Sequence, residues 1–378
     1  MPTKRARRCR VAHRSPVADA GNPPASATGY CSLPSVSNME LSFVVKPANK
    51  RQPIRFPPVC AFRRMSRGNF SLGAEFVALT KEILMVVQLS LETDDIAPTA
   101  ESASGARVFA PDLAYRLMSI VNVIFHGDPA KGNDWVLIDT GLPTSKNTIV
   151  ETAEARFGRN TRPSAIVMTH AHFDHAGSLE GLAEHWDVPV YAHPLEFPYL
   201  NGQASYPPAD AFVGGGAMAL LSPLFPRSPV DVGRWLKMLP PDRSVPAMPG
   251  WKWLHTPGHT PGHISLWRES DRTLIAGDAI VTTGQESVYE VLTQKPEMHG
   301  PPRYLTPDWD EAERSVVMLA SLEPELVITG HGQPVRGEHT RARLHELAAN
   351  FSAIAVPDGR PYALDPAKPG KSGNDAYR

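Results

Sequence analysis

The middle of the chain repeats one local pattern, in which a short run of mostly apolar residues ends at a polar side chain. Runs of this kind occupy residues 165–168, 251–254, 274–276 and 326–328. Apolar runs of this length are typical of buried strands. Because binding sites in layered α/β folds gather at the carboxyl ends of strands, we expect these four runs to deliver polar residues to a common site.

Longer segments beside these runs predict helices. The predicted helices are residues 146–157, 176–185, 310–322 and 338–351. Thr144 or Ser145 is the expected N-cap of the first, since hydroxyl side chains favour that position. Residues 117–125 and 135–138 are predicted to pair as strands around a loop at 127–133. Strands with helices outside them indicate an α/β fold.

One segment concentrates the chemistry of the chain. His170, His172, Asp174 and His175 fall within six residues, directly after the strand predicted at 165–168. Neutral imidazoles bind zinc or iron well, and a carboxylate can hold a second cation. The His-x-His pair can aim both rings at one ion, while Asp174 and His175 turn toward another. A polar surface loop is the alternative, but it leaves the histidines after the other strands unexplained.

The other three runs end in the same way. His259 follows the run at 251–254, Asp278 the run at 274–276 and His331 the run at 326–328. Asp278 and His331 each come directly after a glycine. Glycine allows the backbone to turn closely at such a point. Four strand-terminal segments in order therefore predict one site built from residues far apart in the sequence.

Together these segments resemble the metallo-β-lactamase superfamily of metallohydrolases, over roughly residues 115–350. The His-x-His-x-Asp-His motif of that family is matched by the four clustered residues, and its later ligands by His259, Asp278 and His331. Its early strand-end Asp-Thr-Gly is matched at residues 139–141, where Asp139 supports the site without binding metal. The resemblance implies a four-layer αββα sandwich with a dinuclear metal site at the sheet edge.

The resemblance also implies the ligand sets. The first metal is expected on His170, His172 and His259, the second on Asp174, His175 and His331, with Asp278 bridging both. Two divalent ions are expected, with Zn²⁺ as the first choice and Fe or Mn as alternatives. Such a pair lowers the pKa of a shared water, so that hydroxide can attack an ester-like bond. Asp174 is the predicted catalytic residue, orienting the nucleophile or passing a proton to the leaving group.

The substrate is less closely specified. Residues 256–263 look most like those of hydroxyacylglutathione hydrolases and acyl-homoserine lactonases, which favours a thioester or lactone. Phosphodiester and β-lactam hydrolysis remain alternatives. A different class, the persulfide dioxygenases, resembles the same scaffold but holds a single iron and oxidises its substrate. A noncatalytic metal-binding protein is a third hypothesis. We expect a small-molecule substrate in each enzymatic case.

Further residues are candidates for roles around the metals. His263 is predicted to support the site or the strand beginning there, and His193 to border the substrate. Lys295 and Arg303, in the segment 282–308, could meet a substrate carboxylate or phosphate. Residues 194–249 contain eleven prolines and are predicted to be an insertion with one short helix near 217–222. Its position between ligand segments suggests a lid, and a peripheral insertion is the alternative.

Composition sets the outer bounds. The net charge of −1 argues against nucleic-acid binding by the whole chain, and no run of 18 apolar residues predicts a membrane span. Residues 1–70 are different, with thirteen Lys and Arg against two acidic residues. This basic leader, 1–84, is predicted to be disordered. It is read as a transit segment, as a basic tail, or as codons upstream of a start at Met65 or Met85.

The predicted domains are thus the leader, a catalytic domain at 85–355 and a disordered tail at 356–378. All three cysteines, Cys9, Cys31 and Cys60, lie in the leader, so no thiol serves the predicted site. This fits a cytoplasmic location, with an organelle as the alternative if the leader is a targeting segment. The sequence does not fix the oligomeric state, and a homodimer is compatible with it.

Overall fold

The computed structural model describes residues 89–102, 105–132 and 134–368. The predicted leader lies outside the described residues, and so do the three cysteines. No helix in the described part of the chain is both long enough and apolar enough to cross a bilayer.

The described residues form strands, α-helices and four 3₁₀ turns. The strands are β1 (Leu89–Ser90), β2 (Ala100–Glu101), β3 (Arg107–Ala110), β4 (Leu113–Met118), β5 (Val121–His126), β6 (Val136–Ile138), β7 (Ala165–Val167), β8 (Val190–Ala192), β9 (Leu236–Met238), β10 (Trp251–His255), β11 (Ile264–Arg268), β12 (Thr273–Gly277), β13 (Glu297–Met298), β14 (Leu326–Thr329) and β15 (Val335–Arg336). The α-helices are α1 (Lys146–Phe157), α2 (Leu179–Trp186), α3 (Phe197–Leu200), α4 (Ala217–Leu221), α5 (Val288–Thr293), α6 (Trp309–Ser321), α7 (Gly337–Ala349), α8 (Phe351–Ile354) and α9 (Pro361–Leu364). The 3₁₀ turns are Thr93–Asp95, Pro194–Glu196, Ser222–Leu224 and Arg303–Leu305.

The strands form two large sheets and one small one. The first sheet has eight strands in the order β2 to β9, antiparallel up to β6 and parallel from β6 to β9. The second has five, in the order β10-β11-β12-β14-β15, with β12 and β14 parallel. Strands β1 and β13 pair separately. Helices α1 and α2 make the crossovers that parallel neighbours require.

Alternation along the strands sorts apolar side chains into three cores. On β5, Val123 and Phe125 pack in a core with α1 and α2, while Ile124 lies in the core between the two large sheets. On β12, Leu274 packs in a core with α6 and α7, while Ile275 faces the first sheet. Because successive side chains point to opposite faces of a strand, two sheets face each other and helices cover both outer faces. The predicted αββα sandwich is therefore confirmed.

The predicted strand at 117–125 is wrong as a single element. It contains the turn between β4 and β5, where Ser119 has a φ of 64°. The hairpin partner of β6 is therefore β5 alone. No glycine, proline or asparagine marks this turn, so the apolar pattern runs through it without a break.

The insertion at 194–249 holds more structure than the one predicted helix. That helix is present as α4, but the segment also contains α3, two of the 3₁₀ turns and β9. Strand β9 pairs with β8 in parallel and so completes the edge of the first sheet. The insertion is thus partly an extension of the sandwich.

The prediction of a disordered tail at 356–378 is wrong for residues 356–368. The guanidinium of Arg360 contacts the carboxylate of Asp210 at 2.9 and 2.5 Å, and the Ala367 N–H donates to the carbonyl of Pro307 at 3.0 Å. Helix α9 lies in this segment, which is fixed to the insertion by an ion pair that composition does not reveal. Residues 369–378 lie outside the described part.

Candidate metal centre

Every predicted ligand lies just beyond a strand end. Residues 170–175 follow β7, and Asp139 follows its parallel neighbour β6. In the second sheet, Asp278 and His331 follow the parallel neighbours β12 and β14, and His259 follows β10. Parallel strands bring their carboxyl ends to the same sheet edge, so topology alone gathers these side chains.

The structure brings the seven side chains together in overlapping groups. In each group of three, the nitrogen and oxygen atoms that could bind a metal lie within 4.8 Å of one another. These groups are His170, His172 and His259; His170, His175 and Asp278; and Asp174, His175 and His331. The first and last correspond to the two ligand sets implied by the sequence.

Asp278 lies between these two sets. Its Oδ2 is 3.5 Å from Nε2 of His259 and 3.2 Å from Nε2 of His331, and its Oδ1 is 3.4 Å from Nε2 of His175. One carboxylate thus approaches imidazoles of both sets. This is the position from which a single aspartate can bridge two cations.

Several atoms at the centre are buried without a hydrogen-bond partner among the described residues. They are His170 Nε2, Asp174 Oδ1, His175 Nε2 and Asp278 Oδ1. A buried polar atom without a partner is destabilising. Four such atoms converging on one place, all nitrogen or carboxylate oxygen, are the donor set that divalent cations bind. The residues present therefore fit a pair of metal ions.

The imidazoles of the second set, which comprises Asp174, His175 and His331, are oriented by strong hydrogen-bond acceptors. Nδ1 of His175 donates to Oδ2 of Asp139 at 2.8 Å, and Nδ1 of His331 donates to the carbonyl of Ile120 at 2.7 Å. Each bond holds a proton on Nδ1, so that Nε2, once deprotonated, points its lone pair at the centre. Asp139 also accepts from the N–H and hydroxyl of Thr169, at 2.8 and 2.7 Å.

The first set is oriented by neutral hydroxyls. Nδ1 of His170 lies 3.1 Å from the hydroxyl of Thr169, and Nδ1 of His259 lies 3.2 Å from that of Thr306. Both hydroxyls donate elsewhere, so they accept from the rings and again leave Nε2 free. His172 is turned the other way, with Nδ1 only 2.9 Å from Nε2 of His259. Two nitrogens so close suit lone pairs that share one cation.

The two sets also differ in charge. Burial, followed by neighbouring imidazoles, holds the pKa of His170 and of His259 well below the usual value, and burial lowers that of His172 to about 4. For His331, burial opposes the charge, but Asp278 and Asp174 raise its pKa to about 10. Burial likewise opposes the charge on His175, and Asp278 and Asp139 raise its pKa well above the usual value. The first set is thus neutral and ready for a cation, whereas a cation at the second must displace protons.

Two glycines make room for this packing. A Cβ on Gly330 would overlap Oδ1 of Asp278 and lie 2.7 Å from Cε1 of His175. A Cβ on Gly277 would lie 2.6 Å from Nε2 of His263, and the φ of Gly277 is 55°. The strand-end glycines are therefore required by close approach, Gly330 to two candidate ligands and Gly277 to His263.

His263 lies behind Asp278. Its Nε2 accepts from the backbone N–H of Asp278 at 2.9 Å, while its Nδ1 contacts the hydroxyl of Thr256 at 2.8 Å. Burial lowers its pKa to about 3. A neutral ring in this position supports the backbone of Asp278.

The remaining predicted residues have other partners. His193 stacks on His255 with a ring separation of 4.2 Å, and the ammonium of Lys295 pairs with Glu297. The guanidinium of Arg303 donates to the carbonyl of Ile354 at 2.5 Å. Contact of these three with substrate stays a prediction, and the proposals below do not depend on it.

The sequence did not indicate three aromatic residues beside the centre. Tyr206 packs on His172 with a ring separation of 4.4 Å, and Phe225 lies 5.5 Å from Phe173 and 5.8 Å from Tyr304. Burial raises the pKa of Tyr304 well above its usual value, and Asp174 adds to the effect. Tyr206 and Phe225 belong to the insertion, where no periodic pattern predicted their position.

The fold and site define a class, the metal-dependent hydrolases built as an αββα sandwich. A family model described as the metallo-beta-lactamase superfamily matches residues 120–331, which include every candidate ligand. The chain belongs to this superfamily, so the predicted family and enzyme class are confirmed.

The chain is also similar to individual proteins. The chain is 48% identical over 263 residues to "Probable metallo-hydrolase YflN" of Bacillus subtilis, a match that covers 69% of this chain and 100% of that protein. It is 30% identical over 168 residues to "Hydroxyacylglutathione hydrolase" of Bdellovibrio bacteriovorus, covering 43% and 55%. Among solved structures, a beta-lactamase domain protein from Burkholderia ambifaria is 23% identical, covering 68% of this chain and 77% of that one, with a TM-score of 0.47.

Proposed function

We propose that this chain hydrolyses an ester-like bond, a thioester or lactone, with two divalent metal ions. The observation that carries the proposal is the pair of ligand sets separated by Asp278. Its carboxylate lies within 3.5 Å of imidazole nitrogens from both sets. A mononuclear site would require only one set, and the second would then be a costly group of buried polar atoms.

The residues divide the work between them. His170, His172 and His259 would hold one ion; Asp174, His175 and His331 would hold the other, with Asp278 shared. Zn²⁺ suits imidazole and carboxylate ligands, as do Fe and Mn with different preferences. When bound, such a pair lowers the pKa of a shared water and polarises the scissile carbonyl.

Asp174 is the proposed proton carrier. Its Oδ2 is 3.3 Å from Nε2 of His331, while its Oδ1 is buried and without a partner among the described residues. An ionised carboxylate with one oxygen held and the other free can orient a water and accept its proton. The buried ring of Tyr304 and the partly buried rings of Phe173 and Phe225 lower the local dielectric, which strengthens charge interactions at the centre.

An acyl substrate is favoured by two resemblances to the same kind of enzyme. Residues 256–263 look like the corresponding segment of thioester- and lactone-cleaving families, and one relative is named a hydroxyacylglutathione hydrolase. Neither fixes the acyl group. Phosphodiester and β-lactam substrates therefore belong in the same assay as comparisons.

The test measures metal content and hydrolysis on the same preparation. We expect about two divalent ions per chain, hydrolysis of thioesters or lactones above phosphodiesters, and loss of both metal and activity in Asp278→Ala. Lys131→Ala, at an exposed side chain away from the centre, should retain both. One iron per chain with oxygen consumption on a persulfide substrate would overturn the proposal, as would full activity in Asp278→Ala.

A further inference from the structure

A buried carboxylate outside the ligand set is left without a role by the proposed function. Glu196 ends the 3₁₀ turn at the start of the insertion, and its side chain is fully buried. The described residues offer it no cationic partner within an ion-pair distance. An unpaired buried carboxylate is strongly disfavoured unless hydrogen bonds stabilise it.

Four donors stabilise this carboxylate. Oε2 accepts from the backbone N–H of Ala171 at 3.0 Å and from the hydroxyl of Tyr206. Oε1 accepts from the hydroxyl of Thr260 and from the backbone N–H of Gly262, both at 2.8 Å. Each oxygen therefore binds one backbone N–H and one hydroxyl, and each backbone group belongs to a different loop.

Those two loops carry the first ligand set. Ala171 lies between His170 and His172, while Gly262 lies three residues after His259. One carboxylate therefore joins the two backbones that position all three imidazoles. Tyr206 completes the arrangement, because its ring packs on His172 at 4.4 Å while its hydroxyl binds Glu196.

The local sequence accommodates this side chain closely. A Cβ on Gly262 would lie 2.8 Å from both N and Cγ of Glu196. No left-handed φ is recorded for Gly262, so the absence of a side chain there serves the approach of Glu196 rather than a turn. A side chain at position 262 would meet both the backbone and the side chain of Glu196.

We propose that Glu196 is a positioning residue that sets the affinity of the first metal site by fixing the His170–His172 loop against the His259 loop. The second site has its own supports, Asp139 and the carbonyl of Ile120, which do not involve the insertion. The inference rests on the proposed ligand assignment. It makes the insertion a structural part of the metal centre.

Glu196→Gln tests this with little change in size. A Gln side chain has a single carbonyl oxygen, so it can accept from only one of the two backbone N–H groups, Ala171 or Gly262. The other N–H then faces an NH₂ group. One of the two loops loses its backbone hydrogen bond to residue 196 in either orientation, although the Ala171 N–H still contacts the Tyr206 hydroxyl at 3.0 Å. The first set should therefore loosen while the second does not.

Single-site backgrounds separate the two effects. In His331→Ala, the first site should bind Zn²⁺ more tightly than the second, which has lost a ligand. In His172→Ala, the second site should be the tighter one for the same reason. Zn²⁺ affinity is measured in each by competition with a chromophoric chelator. We expect Glu196→Gln to weaken Zn²⁺ binding about 10- to 100-fold in the His331→Ala background. In the His172→Ala background we expect a change of less than about 2-fold, since Asp139 and Ile120 remain in place.

Asp95→Asn is the matched control, because Asp95 is also a buried carboxylate that accepts from a backbone N–H, that of Glu92 at 2.7 Å. It contacts His339 and lies away from the ligand loops. It should leave Zn²⁺ affinity unchanged in both backgrounds. If Glu196→Gln does not fold, Tyr206→Phe removes one hydroxyl from the same carboxylate and should weaken the first site about 2- to 10-fold.

The outcomes distinguish the two proposals. Equal losses in both backgrounds, or no loss in either with Glu196→Gln or Tyr206→Phe, would overturn the role of Glu196 while leaving the dinuclear assignment intact. If His172→Ala and His331→Ala instead bind as much Zn²⁺ as the unmodified chain, the ligand assignment of the proposed function is overturned.

Discussion

Asp139→Asn should weaken the hydrogen bonding that orients His175 while keeping the backbone conformation at position 139. Asp139 has a φ of 59°, a conformation that asparagine also tolerates, so the substitution does not add backbone strain. It changes only which atoms can accept. In the unmodified chain, the Asp139 carboxylate accepts three hydrogen bonds, from the N–H and hydroxyl of Thr169 and from Nδ1 of His175.

Asparagine can satisfy these donors in only one of two incomplete ways. With its oxygen toward His175, the NH₂ faces the N–H of Thr169. With its oxygen toward Thr169 N–H, the NH₂ faces Nδ1 of His175 and drives the proton onto Nε2, the atom needed for metal. The first arrangement destabilises the fold by about 1–3 kcal/mol for one buried unsatisfied donor. The second weakens metal binding about 10- to 100-fold, or roughly 1.4–2.7 kcal/mol.

The assay measures both quantities. Zn²⁺ affinity is determined in the His172→Ala background, and urea unfolding is followed on metal-free protein. Asp95→Asn is again the control, because Asp95 Oδ2 also contacts a histidine Nδ1, that of His339 at 2.6 Å. If Asp139→Asn matches this control in metal affinity, and also unfolds at the same urea concentration as the unmodified chain, Asp139 does not hold His175 as argued here.

Three further predictions concern the fold and the glycine at the centre. Trp135→Ala should lower the free energy of unfolding by about 3–5 kcal/mol in urea, since this fully buried indole stacks on Phe157 at 4.7 Å; a loss below about 1 kcal/mol would contradict the packing. Burial, opposed by Asp112, lowers the pKa of His126 to about 4. The unfolded chain therefore binds the extra proton between pH 6.5 and 4, and stability that is present above pH 6.5 is lost as the pH falls, by up to roughly 3 kcal/mol. His126→Phe should make that part of the pH profile less steep, because the other buried histidines with lowered pKa still contribute; an unchanged profile would refute the assignment. Gly330→Ala should displace Asp278 and remove bound metal while Gly132→Ala, where a Cβ meets no neighbour, leaves the metal content unchanged; full metal content in the first variant would contradict the geometry.

The sequence predicted which side chains converge, because their chemistry and their spacing are both restrictive. Histidines and aspartates that follow apolar runs have few structural uses, and parallel strands bring such positions to one edge. Helix α1 was predicted with its observed bounds, and Ser145 is its N-cap residue as expected, although its side chain makes no capping hydrogen bond. Local information was sufficient in both cases.

The residues that were missed depend on distant contacts. Glu196 meets Ala171 across 25 residues and Gly262 across 66, and nothing in its own neighbourhood indicates either partner. Proline-rich segments carry no period from which a facing residue can be inferred. The turn at Ser119 was missed for the opposite reason, because its apolar neighbours continue a strand pattern through it.

The two ligand sets therefore depend on different parts of the fold. The second is held by a carboxylate after β6 and by a carbonyl in the β4–β5 turn, both within the sandwich. The rings of the first contact hydroxyls at 3.1 and 3.2 Å, and their loops are joined by a carboxylate that the insertion supplies. Neutral hydroxyls orient an imidazole less strongly than the charged carboxylate of Asp139 orients His175. A change in the packing of the insertion should consequently alter the first ligand set before the second.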